Sequence, residues 1–286
     1  MNRVKRSKSI ENRLKENANE KRFVKLIKSQ VPLNNDVFMV FAKNKKFCQE
    51  FLRVILQDKK LVVIENDVQK YLPSAFNKNM TVDMLCKLGD GSIVNVEIQL
   101  AKEKDHARRI FTYASKIKSY LTEKGTKYKD LKDIVEIYLT KDDIFKNGST
   151  VYEVEMNIVS DRKDKIGKWD AGLRVYYINA SGLTNGTINE YLKLLTDRTT
   201  ISKKYKYTSN IKKEIFEIGG ATMSKEMREI LDSERAEGRA EGRAEGRTEG
   251  MLNVLVGMVK DKLLSMAEAA KRFGVSEKEF AKLAKA

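Results

Sequence analysis

The chain has 286 residues, and its 56 Lys and Arg against 40 Asp and Glu give a formal net charge of +16. Hydrophobic residues make up 41% of the sequence, which is enough for a folded core and excludes a largely disordered chain. A single histidine and two cysteines exclude a multi-histidine metal site, a zinc cluster and a disulfide framework. The positive charge predicts a polyanionic partner, most simply nucleic acid, although a generally lysine-rich composition would produce the same charge.

The sequence contains no apolar run that approaches the roughly 18 residues of a membrane span. Its N-terminus is basic, but no apolar stretch of the signal-peptide type follows. We therefore expect no membrane partner and a cytoplasmic location.

Residues 1–30 are strongly basic and contain few apolar residues until Phe23, so we predict a basic N-terminal arm with a short helix near its end. The compact part of the chain begins near residue 31, and Asn34, Asn35 or Asp36 can cap the helix that follows. That helix, and its continuation beyond a Lys-rich break, place apolar side chains on buried faces: Val37, Phe41, Phe47, Phe51 and Leu52.

The clearest local pattern is a β-hairpin that follows a short apolar strand at 61–64. Apolar and polar residues alternate in 81–88 and again in 93–100, and the Gly-Asp-Gly sequence between them is typical of a turn. Residues 31–230 are predicted to form one domain, with a mixed central sheet flanked by helices. Its later elements are a helix, three strands and a second helix, at 105–121, 134–139, 151–158, 173–178 and 187–195.

The register of this hairpin decides how two acidic side chains are arranged. A three-residue loop, Gly89-Asp90-Gly91, pairs Leu88 with Ser92 and requires a left-handed residue at its end. That register places Asp83 opposite Glu97 on one face of the hairpin. A two-residue loop would put the two carboxylates on opposite faces.

Carboxylates this close repel each other unless a cation lies between them, and Mg²⁺ prefers oxygen ligands completed by water or phosphate oxygens. Gln99 follows Glu97 by two residues on the same face and can orient a water molecule. Such a group could polarise a phosphodiester and supply a nucleophilic water. Geometry alone favours a simpler interpretation, in which two acids decorate a solvated face of the sheet.

The spacing of Asp83 and Glu97-Ile98-Gln99, with 13 residues between the two acids, resembles the PD-(D/E)XK nuclease core. More narrowly, the chain resembles the recombination-promoting nuclease/transposase family of bacteria, whose members are PD-(D/E)XK nuclease family transposases. The resemblance covers mainly residues 31–140 and rests on stretches in the same order: Val31-Pro32-Leu33-Asn34-Asn35-Asp36-Val37-Phe38, Val82-Asp83-Met84, Asn95-Val96-Glu97-Ile98-Gln99, Arg109 with Tyr113, Gly125-Thr126-Lys127-Tyr128, and 134–138.

This resemblance implies a restriction-endonuclease-like α/β core with a C-terminal helical extension. It also implies a Mg²⁺-dependent endonuclease, with Mn²⁺ as an alternative ion, that hydrolyses DNA in recombination or transposition. Asp83 and Glu97 would be the metal ligands, and Asp36 would be the outlying acid that many such nucleases add.

The chain departs from the wider superfamily at Gln99, which stands where other members have a lysine. A lysine supplies a positive charge that stabilises the developing phosphorane, whereas a glutamine can only position the nucleophile. Lys87, on the face of Asp83, could supply the missing charge, and so could Lys78, in the preceding loop.

Arg109, Tyr113, Lys116 and Tyr120 follow one stripe of the helix at 105–121, and this mixture of cations and rings suits contact with phosphates. Tyrosines at the edge of the core, with cations extending to solvent, would give the same pattern. A solvated helix face is the expectation for a second basic group: Lys203, Lys204, Lys206, Lys212 and Lys213.

The C-terminal part is predicted to contain a linker or helix of Arg-Ala-Glu-Gly repeats within 231–250 and a small helical unit at 251–286. The segment 267–283 resembles a helix-turn-helix, with Gly274 at the turn and Ser276 as the cap of the second helix. Two acidic residues at the start of that second helix would oppose DNA, so self-association is favoured for this unit.

Two rival functions fit the same sequence. A catalytically inactive protein that keeps the nuclease fold would bind DNA without metal and with steep salt dependence. An oligomeric interaction protein would assemble through residues 235–286 and would dissociate without them. For a nuclease with one site per chain, double-strand cleavage favours a homo-oligomer, most simply a dimer.

Overall fold

The computed structural model describes residues 21–72, 80–99, 105–182, 186–217 and 250–284, together with Asp232 and Arg247. The chain divides into two compact units, Met1–Met227 and Arg228–Ala286. In the described parts, no helix is long and apolar enough to cross a membrane. The domain boundaries expected from the sequence stay predictions.

The first unit contains both strands and helices. Its described strands are β1 (Val63–Leu72), β2 (Met80–Leu88), β3 (Ile93–Gln99), β4 (Ile134–Thr140), β5 (Val151–Glu153), β6 (Asn157–Val159), β7 (Lys165–Lys168) and β8 (Leu173–Asn179). Its described helices are α1 (21–29), α2 (Asn35–Ala42), α3 (Lys45–Ile55), α4 (His106–Leu121), α5 (Thr187–Thr196) and α6 (Lys206–Lys212). Short turns of 3₁₀ and π type occupy Tyr128–Asp130 and Lys213–Glu217.

Six of the described strands form one mixed sheet in the order β1-β2-β3-β4-β8-β5, and β6 pairs with β7 in a separate ribbon. Strands β1, β2 and β3 are antiparallel neighbours, whereas β3, β4 and β8 run parallel, and β5 is antiparallel to β8. Parallel neighbours need a crossover, and α4 supplies it between β3 and β4. This mixed sheet with its flanking helices confirms the restriction-endonuclease-like α/β fold class.

Helices cover both faces of the sheet. Nearly every residue of β3 and β4 is therefore buried. Ile110, Ala114 and Ile117 of α4 pack on one face. On the other face, the thiol of Cys48 in α3 lies within hydrogen-bonding reach of Cys86 in β2. The hairpin acids lie on the face that α4 covers.

The N-terminal helices largely confirm the sequence analysis. Asn34 is the N-cap of α2, where its side-chain oxygen accepts a hydrogen bond from the Asp36 N–H at 3.2 Å. The apolar residues predicted for α2 and α3 are buried. Helix α1 is the short helix expected near the end of the basic arm, and it buries Phe23, Val24 and Ile27. Residues 1–20 of the arm lie outside the described residues.

Two strand predictions were wrong in their bounds. The strand expected at 61–64 begins at Val63 and continues to Leu72, although most of its residues are polar or exposed. Among the described strands it lies at one edge of the sheet and has β2 as its single neighbour, so it needs few apolar residues. The strand expected at 151–158 is two short strands, because the chain leaves the sheet after β5 and then pairs with β7.

Lys212 corrects the expectation of a solvated basic face, since only 1% of it is exposed. Its ammonium group donates hydrogen bonds to the carbonyl oxygens of Leu194 at 2.7 Å, Asp197 at 2.5 Å and Thr200 at 2.5 Å. These carbonyls lie in the last turn of α5 and in the loop that follows. A buried cation therefore satisfies the C-terminal end of α5, where the helix dipole favours positive charge.

Glu50 of α3 satisfies the opposite kind of helix end. Its carboxylate accepts hydrogen bonds from the backbone N–H of Tyr207 at 3.1 Å and of Thr208 at 2.9 Å, in the first turn of α6. A side chain distant in sequence thus takes the place of a local N-cap. Glu50 thus joins α3 to the start of α6, and Lys212 joins α6 to the end of α5.

The second unit contains three described helices: α7 (250–260), α8 (Met266–Phe273) and α9 (Glu277–Leu283). Gly274, with a φ of 83°, ends α8, and Ser276 caps α9 in a capping box with Glu279. The two helices, the turn at Gly274 and the cap at Ser276 are present as expected, and the helix-turn-helix assignment and its role stay predictions. Apart from Asp232, Arg247 and Gly250, the segment 231–250 lies outside the described residues.

Replacement of Lys212 by Met should lower the free energy of unfolding by on the order of 3 kcal/mol, because buried carbonyls lose a charged donor. The matched control is Lys213→Met, at an exposed neighbouring position, which should change stability by less than about 0.5 kcal/mol. Urea unfolding followed by circular dichroism measures both values. Equal effects for the two variants would contradict the capping role of Lys212.

Candidate active site

The turn between β2 and β3 sets the site, and it has the three-residue form. Leu88 donates its N–H to the carbonyl oxygen of Ser92 at 2.9 Å, and Gly91 adopts a left-handed φ of 86°. The strands pair Met84 with Val96, which continues the same register. The predicted arrangement is confirmed, because this register brings Asp83 and Glu97 opposite each other.

Asp83 and Glu97 are each held by the backbone of the opposite strand. The N–H of Asp83 donates to Glu97 Oε1 at 3.3 Å, and the N–H of Ile98 donates to Asp83 Oδ2 at 2.8 Å. Within the described residues, Asp83 Oδ1 and Glu97 Oε2 accept no hydrogen bond. Each carboxylate therefore uses one oxygen for the hairpin, while its other oxygen accepts no hydrogen bond from the described residues.

Asn95 and Glu136 complete a polar cluster that the sequence analysis missed. Asn95 is fully buried on β3, and Glu136, 1% exposed, is its register partner on β4. The Asn95 amide nitrogen donates to Glu97 Oε1 at 3.2 Å and to Glu136 Oε2 at 2.8 Å. A signal was available, because Glu136 is the one charged residue in a strand that is otherwise mainly apolar, Ile134–Thr140.

Burial raises the pKa of all three carboxyl groups. The pKa of Asp83 rises to about 6, because desolvation outweighs a backbone hydrogen bond and the nearby charge of Arg109. Desolvation raises the pKa of Glu97 well above its ordinary value, and the charges of Asp83 and Glu136 raise it further. Desolvation also raises the pKa of Glu136 to about 8, against the hydrogen bond from Asn95. A cation beside these groups would favour their ionised forms.

The two carboxylates at this site carry oxygen donors of the kind that a divalent cation prefers. Within the parts of the chain that the structure describes, no group of three or more His, Cys, Asp or Glu side chains is placed to hold a metal ion. Mg²⁺ is commonly held by one or two carboxylates, while water and phosphate oxygens complete its coordination. Asp83 Oδ1 and Glu97 Oε2 are the two oxygens suited to this role.

Arg109 and Tyr113 of α4 lie at the same site. The guanidinium carbon of Arg109 is 5.3 Å from the centre of the Tyr113 ring, and the charge of Arg109 lowers the pKa of Asp83. The pKa of Tyr113 is raised mainly by burial and also by the charge of Glu97. One turn of α4 therefore brings a cation and a phenol to the two carboxylates.

The other predicted site residues are less closely gathered. Gln99 ends β3, two residues beyond Glu97, and pairs in register with Thr140. Asp36 is in the first turn of α2, where burial raises its pKa, and no hydrogen bond joins it to Asp83 or Glu97.

Two of the predicted basic residues lie at some distance from the carboxylates along their own elements. Lys87 is four residues from Asp83, about 13 Å along β2, and forms an ion pair with Glu65 at 3.4 Å. Lys116 is seven residues from Arg109, about 10 Å further along α4. Lys78 lies outside the described residues.

A mixed six-stranded sheet with flanking helices, and with paired carboxylates on adjacent strands, fits the restriction-endonuclease-like fold. The sequence of residues 37–237 matches the family model of the PD-(D/E)XK nuclease family transposases. This range includes every described strand of the sheet. The chain therefore belongs to this family, which indicates a nuclease role. A comparison with curated proteins gives no significant match.

In EDTA, a raised carboxyl pKa makes stability fall with rising pH, because the folded state keeps a proton that the unfolded chain loses. Glu136→Gln should match wild type near pH 4.5 and be more stable near pH 8, by on the order of 2 kcal/mol. Urea unfolding at both pH values measures the difference. The control is Glu123→Gln, at an exposed position. A gain in the stability of Glu136→Gln that is the same at both pH values would contradict the raised pKa of Glu136.

Proposed function

We propose that this chain is a Mg²⁺-dependent endodeoxyribonuclease, with Mn²⁺ as an alternative ion, that hydrolyses phosphodiester bonds in DNA. The observation that carries the proposal is the pair Asp83 and Glu97, each fixed by the opposite strand with one oxygen left over. Membership of a nuclease family supports the reaction class, and the net charge of +16 supports a polyanionic substrate.

The chemistry follows from the groups at the site. A bound Mg²⁺ or Mn²⁺ would polarise the phosphate and lower the pKa of a coordinated water. Asp83 and Glu97 would hold that ion through the two oxygens that the hairpin does not use. The side-chain amide of Gln99 would orient the attacking water, because Gln99 follows Glu97 on the same face of β3.

Arg109 would supply the positive charge that the superfamily lysine provides elsewhere. It is the described cation whose charge acts on Asp83, whereas Lys87 is paired with Glu65. The ring of Tyr113 holds the guanidinium group beside the carboxylates. In this position Arg109 can stabilise the negative charge that develops on the phosphate oxygens. Lys116 and the basic arm would contact the DNA backbone further from the reaction.

We infer that the reaction serves recombination or transposition of DNA in the bacterial cytoplasm. The family's description as a transposase supports this setting. We also propose a homo-oligomer, most simply a dimer, because two sites are needed to cut both strands at once. Asp36 remains a proposed outlying acid, and it would act only if substrate binding brings it to the site.

The first test is cleavage of supercoiled plasmid at low salt with Mg²⁺, with Mn²⁺ and with EDTA. We expect metal-dependent cutting by wild type and its loss, by at least about 10³-fold, in Asp83→Ala and in Glu97→Ala. Glu123→Ala, an exposed acid outside the site, is the matched control and should cut like wild type.

Each result of that test has a defined meaning. Cutting that survives both site substitutions would show that the hydrolysis takes place elsewhere. Absence of cutting, together with metal-independent and salt-sensitive DNA binding, would favour the inactive DNA-binding protein. Gln99→Lys would then test whether the missing lysine accounts for the inactivity.

Arg109→Met should lower the cleavage rate by about 10²-fold, because the transition state loses a charged hydrogen-bond donor. Arg109→Lys should recover part of the rate, since the charge returns without the planar fork. Arg108→Met, at the exposed preceding position, should change the rate by less than about two-fold. Equal rates for the Arg108 and Arg109 variants would remove Arg109 from the reaction.

A further inference from the structure

The amide of Asn95 links two carboxylates that lie on different strands. One amide hydrogen is donated to Glu97 Oε1 and the other to Glu136 Oε2, at 3.2 and 2.8 Å. The amide nitrogen of Asn95 faces both acids, and this orientation lets each ionised carboxylate accept a hydrogen bond from it. Both donors of the Asn95 amide are therefore in use.

Glu97 Oε1 is consequently held from two directions. The Asp83 N–H donates to it from β2, and the Asn95 amide donates to it from β3, the strand that carries Glu97 itself. Two donors on one oxygen fix the rotation of the carboxylate and leave Oε2 as the oxygen for a ligand. The Asn95 amide keeps its direction toward Glu97 Oε1 only while another group fixes the Asn95 side chain.

Glu136 is the group that holds Asn95. Its Oε2 accepts the shorter of the two amide hydrogen bonds, while Glu136 Oε1 and Asn95 Oδ1 accept none within the described residues. Packing does not require an acid here, because the neighbours of Glu136 along β4 are apolar and buried. A buried carboxyl group without a paired cation costs stability that an apolar side chain would not.

We propose that Glu136 is a positioning residue: through the amide of Asn95 it sets the orientation of the Glu97 carboxylate across two strands. The relay runs from β4 to β3 and ends at the backbone of Asp83 on β2. It rests on the proposed function, in which Glu97 binds the metal ion. Groups that orient a metal ligand commonly change metal affinity or activity by about 10- to 100-fold when they are removed.

Three variants separate the acceptor role of Glu136 from its charge and from folding. Glu136→Gln keeps an oxygen that can accept from Asn95 but removes the charge. Glu136→Leu removes the acceptor and fits the apolar strand, and Asn95→Ala removes the link. Circular dichroism and thermal unfolding establish that each variant is folded before the other measurements.

The metal-free protein provides a readout that does not depend on activity. Nuclear magnetic resonance of the Asp83 backbone amide reports its hydrogen bond to Glu97. We expect the Asp83 amide shift to move in Glu136→Leu and in Asn95→Ala and to stay close to wild type in Glu136→Gln. An unmoved Asp83 signal in folded Glu136→Leu would overturn the relay, whether or not the protein proves to be a nuclease.

Activity and ion binding provide the second readout. In Glu136→Leu we expect kcat to fall by about 30-fold with little change in KM, and the Kd for Mn²⁺ measured by calorimetry to rise by about 10-fold. Glu136→Gln should stay within about three-fold of wild type in each. A loss in Glu136→Gln as large as in Glu136→Leu would overturn the relay, because the charge of Glu136 would then be what matters.

A double-mutant cycle tests the route through Asn95. If Glu136 acts only through that amide, Glu136→Leu should cost nothing further in kcat when Asn95 is already Ala. Additive losses would overturn the route through Asn95. Failure of the proposed function would show itself differently, as wild-type protein that neither binds Mn²⁺ nor cuts DNA while the Asp83 amide still responds to Glu136→Leu.

Discussion

The pairing register of one β-hairpin is the constraint on which the candidate site depends. Side chains alternate along a strand, so a shift of one residue between β2 and β3 would send Asp83 and Glu97 to opposite faces. The left-handed Gly91 permits the three-residue turn that fixes this register. The two carboxylates then reinforce it, because each accepts a hydrogen bond from the backbone of the other strand. The carboxylates of the site therefore help to fix the register of the hairpin that carries them.

The same hairpin concentrates acidic groups where the sheet is most buried. Asp83, Glu97 and Glu136 occupy neighbouring strands under α4, and desolvation raises the pKa of each. Such a cluster lowers the stability of the metal-free fold, but it raises the affinity for a cation that would neutralise it. Arg109 compensates only part of the charge. The fold is thus less stable at the place where the proposed chemistry needs a strong negative electrostatic field.

Packing in the rest of the unit stabilises the strands and helices around the acidic cluster. Apolar residues of β3 and β4 pack against helices on both faces, so the strands that carry the acids cannot shift easily. Further from the site, Glu50 satisfies the first turn of α6 and Lys212 satisfies the last turn of α5. Charged side chains thereby close helix ends that local sequence leaves open.

The sequence by itself determined the hairpin and the facing of Asp83 and Glu97, because these follow from alternation and turn chemistry over short distances. It narrowed the cap of α2 to three neighbouring residues, and it carried the resemblance to the family in short stretches that occur in the same order. Only the tertiary structure decided that Asn95 and Glu136 join the acids, that Arg109 rather than Lys87 lies beside them, and that Lys212 is buried. Each of these depends on parallel pairing or helix packing between segments far apart in the chain. Local patterns do not show which distant segments come together, and the bounds of β1 and β5 were missed for the same reason.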